Sequence, residues 1–442
     1  MLTFSGNQHR MCDGVSRRDF LKAGALGLGG LTLADLFRLR SLGAVESKKS
    51  HRGVIMVYLP GGPSHIDMYD MKPNAPVEIR GEFKPIPTNV AGTNICELMP
   101  MQAQIADKYS IVNGIQSIDT HSAELLMRGH MGGPGRRPVF GSIVSKLRGG
   151  GNDEGMPAYV ALGGENGSDP GDPSYLGTAH KPFSAGGPGM ANLSLVKGVT
   201  PEQLGERKAL LSSFDTIRRD LDTRGDLHGM DAFTARALEM VTSPKVREAF
   251  DVNREPKEIQ EKYGTGKRLL QALRLVQAGV SVVTVSVAGT VVPVGDWDSH
   301  GTNDGRKFGI FQDYRQRLPV YDKIIHAFIS DLYEKGLDKD IAVVIWGEFG
   351  RTPKINKDGG RDHWAPAGWA QIVGGGFQMG QVIGDTGPKG ERERARSTPY
   401  TPANVLATLY RFLGIDPETT LPDLTGRPMY LLDDRESISE LG

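Results

Sequence analysis

Short apolar runs recur along the chain, and the strongest of them stop at acids and histidines. Residues 341–346, IAVVIW, are mostly β-branched with no charged side chain. That is the pattern of a strand buried on both faces at the centre of a parallel sheet, although a buried helical segment shares it. Runs at 53–60, 110–114, 156–162 and 280–287 read the same way. Segments with apolar positions at helical spacing stand between them, at 98–109, 137–147, 267–277, 318–335 and 401–413, and Gly279 and Gly414 lie where two of these helices stop. The segments 371–375 and 381–383 read as edge strands in glycine-rich surroundings. Strands alternating with helices predict an α/β fold whose mostly parallel central sheet carries helices on both faces. The charged, helically periodic stretch at about 200–263 reads as a helical insertion that covers or flanks the site.

In open α/β sheets ligands bind outside the carboxyl ends of the strands, so the residues that follow the apolar runs carry the candidate chemistry. The run at 341–346 leads to Glu348, Arg351, Asp362 and His363, and a turn at 357–360 can fold His363 back towards Glu348. In a plainer reading Glu348 caps the next element and pairs with Arg351, and His363 is a surface residue. The first run leads to Ser64, His65 and Asp67. Asp67 and His65 could face one centre, or Asp67 could cap a turn with Asp70 and Lys72. The run at 280–287 leads to Asp296, Asp298 and His300, and either aspartate could share a cation with the histidine. Near Asp119, Thr120, His121 and Ser122 a helix begins, and hydroxyls at its start sit where the dipole favours a developing anion. Thr120 and Ser122 are therefore candidate nucleophiles, although capping alone is the commoner role of such residues.

Composition removes several classes of function. The 442 residues balance 52 Lys and Arg against 52 Asp and Glu, which leaves no basic field for nucleic acid. Cys12 and Cys96 are the only cysteines and form no C-x-x-C pair, so a disulfide framework, cysteine-ligated zinc and iron–sulfur clusters are not expected. Ser16-Arg17-Arg18-Asp19-Phe20-Leu21-Lys22 with the mild apolar run at 23–33 looks like a twin-arginine export signal. That run falls short of the about 20 residues a stable membrane span needs. The segment 41–44 is a poor cleavage site, and an uncleaved anchor stays open. Residues 1–48 are thus read as signal and 49–442 as the folded domain, with a periplasmic or extracytoplasmic location and the twin-arginine translocon as partner.

Taken together, LPGGPSHIDMYD, DTHSAELLMRGH, DWDSHG, WGEFGRTP with GRDHW, and TPANVLATLYRFLGID before LPDLTGRPM resemble the alkaline-phosphatase and sulfatase superfamily. Within it the chain is most similar to the exported domain-of-unknown-function family 1501, over essentially everything after the signal. The resemblance implies an alkaline-phosphatase-like fold with divalent cations (zinc, calcium or manganese) at the strand ends and a nucleophile at a helix start. Asp296 and His300 match the superfamily's Asp-x-x-x-His pair. Thr120-His121-Ser122-Ala123 resembles the phosphatase segment whose serine attacks, and His363 resembles the late histidine of one metal site. Asp67 or Ser64 stands for the first-strand aspartate. The strand at 341–346 ends in Glu348-Phe349 where the superfamily has Asp-His, so one histidine is missing unless Asp362 and His363 supply it. The sulfatase maturation motif is also absent.

These residues lead to the expectation of an exported metal-dependent hydrolase of phosphate, phosphonate or sulfate esters, acting on a small-molecule or polysaccharide ester. Ser122 or Thr120 attacks, Arg351 clamps the oxyanion, and Glu348 is ligand or general base. Asp67, Asp296, Asp298, His300, Asp362 and His363 are the candidate ligands. The alternative is an exported, metal-stabilised binding or surface protein of the same fold without turnover.

Overall fold

In an extended chain successive side chains point to opposite faces, so a run with no polar positions needs a core on each side. The computed structural model describes residues 51–130, 136–149, 151, 155–163, 171–184, 243–289, 291–293, 295–302, 308–390 and 399–442. The residues from Arg52 onward form one compact unit. The export signal and most of the foreseen insertion lie outside the described residues; past 242 the chain forms two short helices, Pro244–Phe250 and Lys257–Tyr263.

The apolar runs, together with a two-residue segment at 183–184 that the sequence did not mark as a strand, become the strands of one eight-stranded sheet. They are β1 (Gly53–Tyr58), β2 (Tyr109–Ile115), β3 (Tyr159–Leu162), β4 (Phe183–Ser184), β5 (Val282–Ser286), β6 (Ile341–Trp346), β7 (Gly368–Gly374) and β8 (Val382–Ile383). Their spatial order is β8-β2-β7-β6-β1-β5-β3-β4. In register, Ile55 of β1 lies between Val343 of β6 and Val283 of β5, both parallel to it. Helices cover both faces as the alternation requires. They are α1 (Glu124–Arg128), α2 (Phe140–Arg148), α3 (Lys267–Gln277), α4 (Ile310–Glu334) and α5 (Pro402–Phe412). Ile55, Val283, Val343 and Ile345 pack with α3 and α4 in one core. Val54, Met56, Val344 and Trp346 pack with α2 and α5 in the other. No described helix is long and apolar enough to cross a membrane.

Three local expectations are corrected. The segment foreseen as an edge strand at 371–375 is the interior strand β7, antiparallel to β2 and β6 and buried along its whole length. The helix foreseen at 98–109 is two short pieces, Pro100–Ala103 and a 3-10 turn at Ala106–Lys108, because the chain turns at once into β2. Helix α4 starts well before Leu318 and carries Pro319 inside it. The reversal of β7 has a functional consequence: its amino end lies beside the carboxyl ends of β2 and β6, so the loop that precedes it opens onto the ligand-binding edge.

Ile345 is fully buried at the centre of the sheet, whereas Leu424 is 88% exposed. Ile345→Ala is expected to cost about 2–5 kcal/mol by urea unfolding, and Leu424→Ala less than about 0.5 kcal/mol. Equal losses would contradict this packing.

Candidate metal centre

Four strand-end loops meet at one point, and buried side chains fix each of them. After β1, the N–H groups of Gly61 and Gly62 donate to the Glu348 carboxylate at 2.8 and 3.3 Å, joining this loop to the end of β6. Gly61 has φ 102°, and a Cβ there would lie 2.3 Å from the backbone nitrogen of Asp298, so glycine lets the two loops touch. After β5, Trp297 is fully buried and donates from Nε1 to the Val287 carbonyl at 2.9 Å. Ser299 Oγ donates to Asp313 of α4 at 2.6 Å. These contacts leave Asp298 and His300 at the loop's outer edge. After β6, Gly350–Arg351 pairs with His363–Trp364 as a short antiparallel ladder, which brings His363 back as the turn residues predicted. After β2, Ser117 N–H donates to the Ala365 carbonyl at 2.8 Å, and the chain carries Asp119 and His121 to the same place.

His121, Asp298, His300 and His363 converge there, each with one ligand atom within 4.8 Å of the others. His300 Nε2 is 2.9 Å from Asp298 Oδ1 and 2.9 Å from His363 Nε2. His363 Nε2 is 3.3 Å from Asp298 Oδ1, and His121 Nε2 is 3.4 Å from Asp298 Oδ2. Ligand atoms about 2.1 Å from one tetrahedral zinc-like cation stand roughly 3.4 Å apart. The observed spacings are of that size.

The far side of each imidazole carries a second regularity. His121 Nδ1 lies 3.3 Å from Glu348 Oε1, His300 Nδ1 3.1 Å from Asp362 Oδ1, and His363 Nδ1 2.7 Å from Asp119 Oδ1. A carboxylate behind each ring favours the proton on Nδ1 and turns the Nε2 lone pair inward, the arrangement that orients metal-ligating histidines. The charges call for a cation as well. Asp298 lowers its energy by holding a proton on His121, and Glu348 adds to this, so that the His121 pKa is pushed up to about 10. Burial alone would raise the Asp298 carboxyl, but the bonds from His121, His363 and Arg351 outweigh it and hold the group well below the usual carboxylate range. The donor set, three imidazoles and one carboxylate, suits zinc better than the oxygen-preferring calcium.

The remaining expected residues are placed differently. Asp67 lies outside the cluster, fully enclosed in an ion pair whose Arg361 Nε and Nη2 stand 2.7 and 2.9 Å from its oxygens, with Ser64 Oγ donating to it at 2.6 Å. Asp296 Oδ1 accepts the Asp298 N–H at 3.3 Å, a turn contact outside the cluster. Arg351 is buried; it donates to the Gly62 and Arg361 carbonyls at 2.9 Å each, to the Gly61 carbonyl, and to Asp298 Oδ1 at 2.5 Å. Those donors are committed within the protein, so an oxyanion clamp has no support from its geometry. Glu348 and Asp362 sit behind histidines, not among the four converging groups. Ser122 Oγ accepts the Glu124 N–H at 3.2 Å, and the Thr120 carbonyl accepts the Ser122 N–H at 2.7 Å. Two residues were overlooked as site residues in the sequence, His121 as a ligand and Asp119 behind His363. Their signal was there: an aspartate stands one or two residues before a histidine at three strand ends, in Asp119-x-His121, Asp298-x-His300 and Asp362-His363.

The profile of the family described as "Protein of unknown function (DUF1501)" matches residues 51–441. The chain belongs to this family. No curated protein matches this DUF1501 member in sequence. Solved structures that match include a sulfatase from Pseudoalteromonas sp., 11% identical over 91% of this chain and 73% of that one, TM-score 0.38. The lipoteichoic acid synthase LtaP from Listeria monocytogenes is 10% identical over 87% and 75%, TM-score 0.34. The phosphonate monoester hydrolase from Silicibacter pomeroyi is 11% identical over 83% and 74%, TM-score 0.37. Similarity at this level names no substrate and assigns no residue in the DUF1501 chain.

Two substitutions separate ligand from scaffold. His300→Ala is expected to remove bound metal, and with it the stability that a ligand bound only to the folded state confers. Asp67→Asn, which breaks a buried pair, is expected to cost about 3–5 kcal/mol while the folded protein keeps its metal. Elemental analysis with thermal unfolding reads both; full metal content in His300→Ala would remove the site.

Proposed function

We propose that the protein is an exported, metal-dependent hydrolase of phosphate, phosphonate or sulfate esters. In this reading His121, His300 and His363 hold a zinc-like cation, with Asp298 as the fourth donor or its close neighbour. The observation that carries it is the carboxylate behind each of the three imidazoles, an investment that a solvated surface cluster does not need. A divalent cation held there supplies Lewis acidity to a phosphoryl or sulfuryl oxygen and lowers the pKa of a hydroxyl beside it.

The chain's own groups then have separate tasks. Glu348 fixes the His121 ring through Nδ1 and, by accepting two backbone N–H groups from the β1 loop, keeps that ring registered to the sheet. Arg351 holds Asp298 Oδ1 at 2.5 Å, which weakens that oxygen as a donor and favours a centre with three firm ligands and room for an ester. Ser122 stands next to ligand His121. Its oxygen accepts the Glu124 N–H, which leaves its own proton to be released on attack; Thr120 flanks the same histidine from the other side. Ser122 is our preferred nucleophile because Ser122-Ala123 matches the phosphatase segment. Helix α1 is too short, at five residues, to contribute much dipole.

The second reading, a metal-stabilised binding or surface protein, is favoured by one observation. Should all four converging donors bind the cation, a tetrahedron is filled and no position is left for an ester. Metal content and turnover decide between them.

The zinc-loaded protein is expected to hydrolyse an aryl phosphate, phosphonate or sulfate ester, and Ser122→Ala to lower turnover by several orders of magnitude with metal content unchanged. Loss on Thr120→Ala instead moves the nucleophile by two residues. An absence of turnover on every such ester with any divalent metal supplied gives the field to the binding protein. For export, a reporter fused behind residues 1–48 is expected to leave the cytoplasm, and to stay inside when Arg17 and Arg18 are both replaced by Lys. Unchanged export of that variant would refute the signal.

A further inference from the structure

The three carboxylates that orient the histidines also set the charge around the bound ligand. Asp119 and Asp362, with side chains 64% and 57% exposed, stand at the mouth, while Glu348 and Asp298 lie deeper. Among the described residues, the one guanidinium bonded to this group is Arg351, and it is buried beneath Asp298 with donors committed to backbone carbonyls. Four carboxylates thus stand against one arginine. A divalent cation reduces the excess but still leaves these groups with one net negative charge, and the two exposed carboxylates stand on the solvent side. Phe349, whose ring centroid is 4.1 Å from that of His363, backs the centre with an apolar wall that adds no compensating charge.

Resting on the hydrolase reading, we propose that Asp119 and Asp362 are charge-selecting residues, which make the centre favour esters carrying a single negative charge over phosphate-monoester dianions. An ester with one negative charge meets the cation at little cost, and a second charge on the ligand faces both exposed carboxylates at once. Each carboxylate several ångströms away in a largely aqueous mouth shifts the balance by about threefold per unit of ligand charge, and the two together by about tenfold. The effect is screened by salt. Asp119 and Asp362 therefore have two tasks that can be separated, since asparagine keeps an oxygen that can accept from the Nδ1 proton but removes the charge. Both positions are exposed, so these substitutions leave the cores untouched.

The test uses two ligands that share a phenyl–phosphorus group: phenylphosphonate, which carries two negative charges at pH 8, and its methyl ester, which carries one. Equilibrium binding is measured by calorimetry with each zinc-loaded protein, parent or variant, also carrying Ser122→Ala so that the ester is not consumed, beside hydrolysis of the ester by the same protein with Ser122 intact. The parent is expected to bind the ester about tenfold more tightly than the dianion. Asp119→Asn and Asp362→Asn are each expected to narrow that ratio about threefold, and the double variant to abolish it, as is 1 M salt in the parent. A parent that turns over the ester yet binds the dianion as tightly overturns the charge selection and leaves the hydrolase reading standing. The same holds for a ratio that the double variant does not move. If neither ligand binds and no ester is cleaved, the hydrolase reading itself fails and takes this inference with it.

Discussion

The rest of this structure depends on one electrostatic constraint: negative charge and nitrogen lone pairs are brought within about one cation's diameter of each other. Asp298, partly buried, faces the Nε2 atoms of three histidines, and each histidine leans on another carboxylate. Unpaired, such a group of like charges is costly to enclose. A proton on His121 meets part of the demand, and a divalent cation meets it better, because a single charge then serves all four donors at once. The surrounding loops are built to hold the donors against their mutual repulsion.

Two buried arginines provide that hold. Arg351 ties the β1 loop to Asp298 and to the backbone of residue 361. Arg361 reaches from the segment before His363 to Asp67 at the other end of the β1 loop, and its N–H donates to the Ser299 carbonyl beside His300 at 3.1 Å. Each guanidinium replaces water around several carbonyls with a rigid planar set of donors, which suits it to fixing loops that have no secondary structure of their own. The sheet supplies the frame and the arginines supply the precision. That division explains why arginines and aspartates expected to touch the substrate or the metal, Arg351 and Asp67, are instead enclosed beneath the centre.

Much of this was legible in the sequence, for physical reasons. The central strands were readable because a residue buried on both faces leaves no polar position in the pattern, and IAVVIW has none carrying charge. His300 and His363 were readable as a group because strand ends in a parallel sheet converge, whereas the sequence left Asp296 and Asp298 as alternatives beside His300 and the resemblance favoured Asp296, which lies outside the cluster. What could not be read was competition between partners. Asp67 and Asp298 are equally plausible ligands in one dimension, and only the fold shows that Arg361 takes one and three histidines take the other. The strand β7 was mistaken for an edge strand because periodicity carries no information on direction or neighbours, and glycines at its ends suggested exposure. His121 was passed over as a ligand because attention fell on the hydroxyls at either side of it.

The central claim is that a cation sits between the histidines, and diffraction from crystals grown with zinc, recorded above and below the zinc absorption edge, tests it most directly. The account predicts a single strong anomalous peak about 2.1 Å from Nε2 of His121, His300 and His363, with Asp298 alongside and the three outer carboxylates still on Nδ1. A zinc peak elsewhere in the chain with none between these three rings, or rings turned so that Nδ1 faces inward, would contradict it.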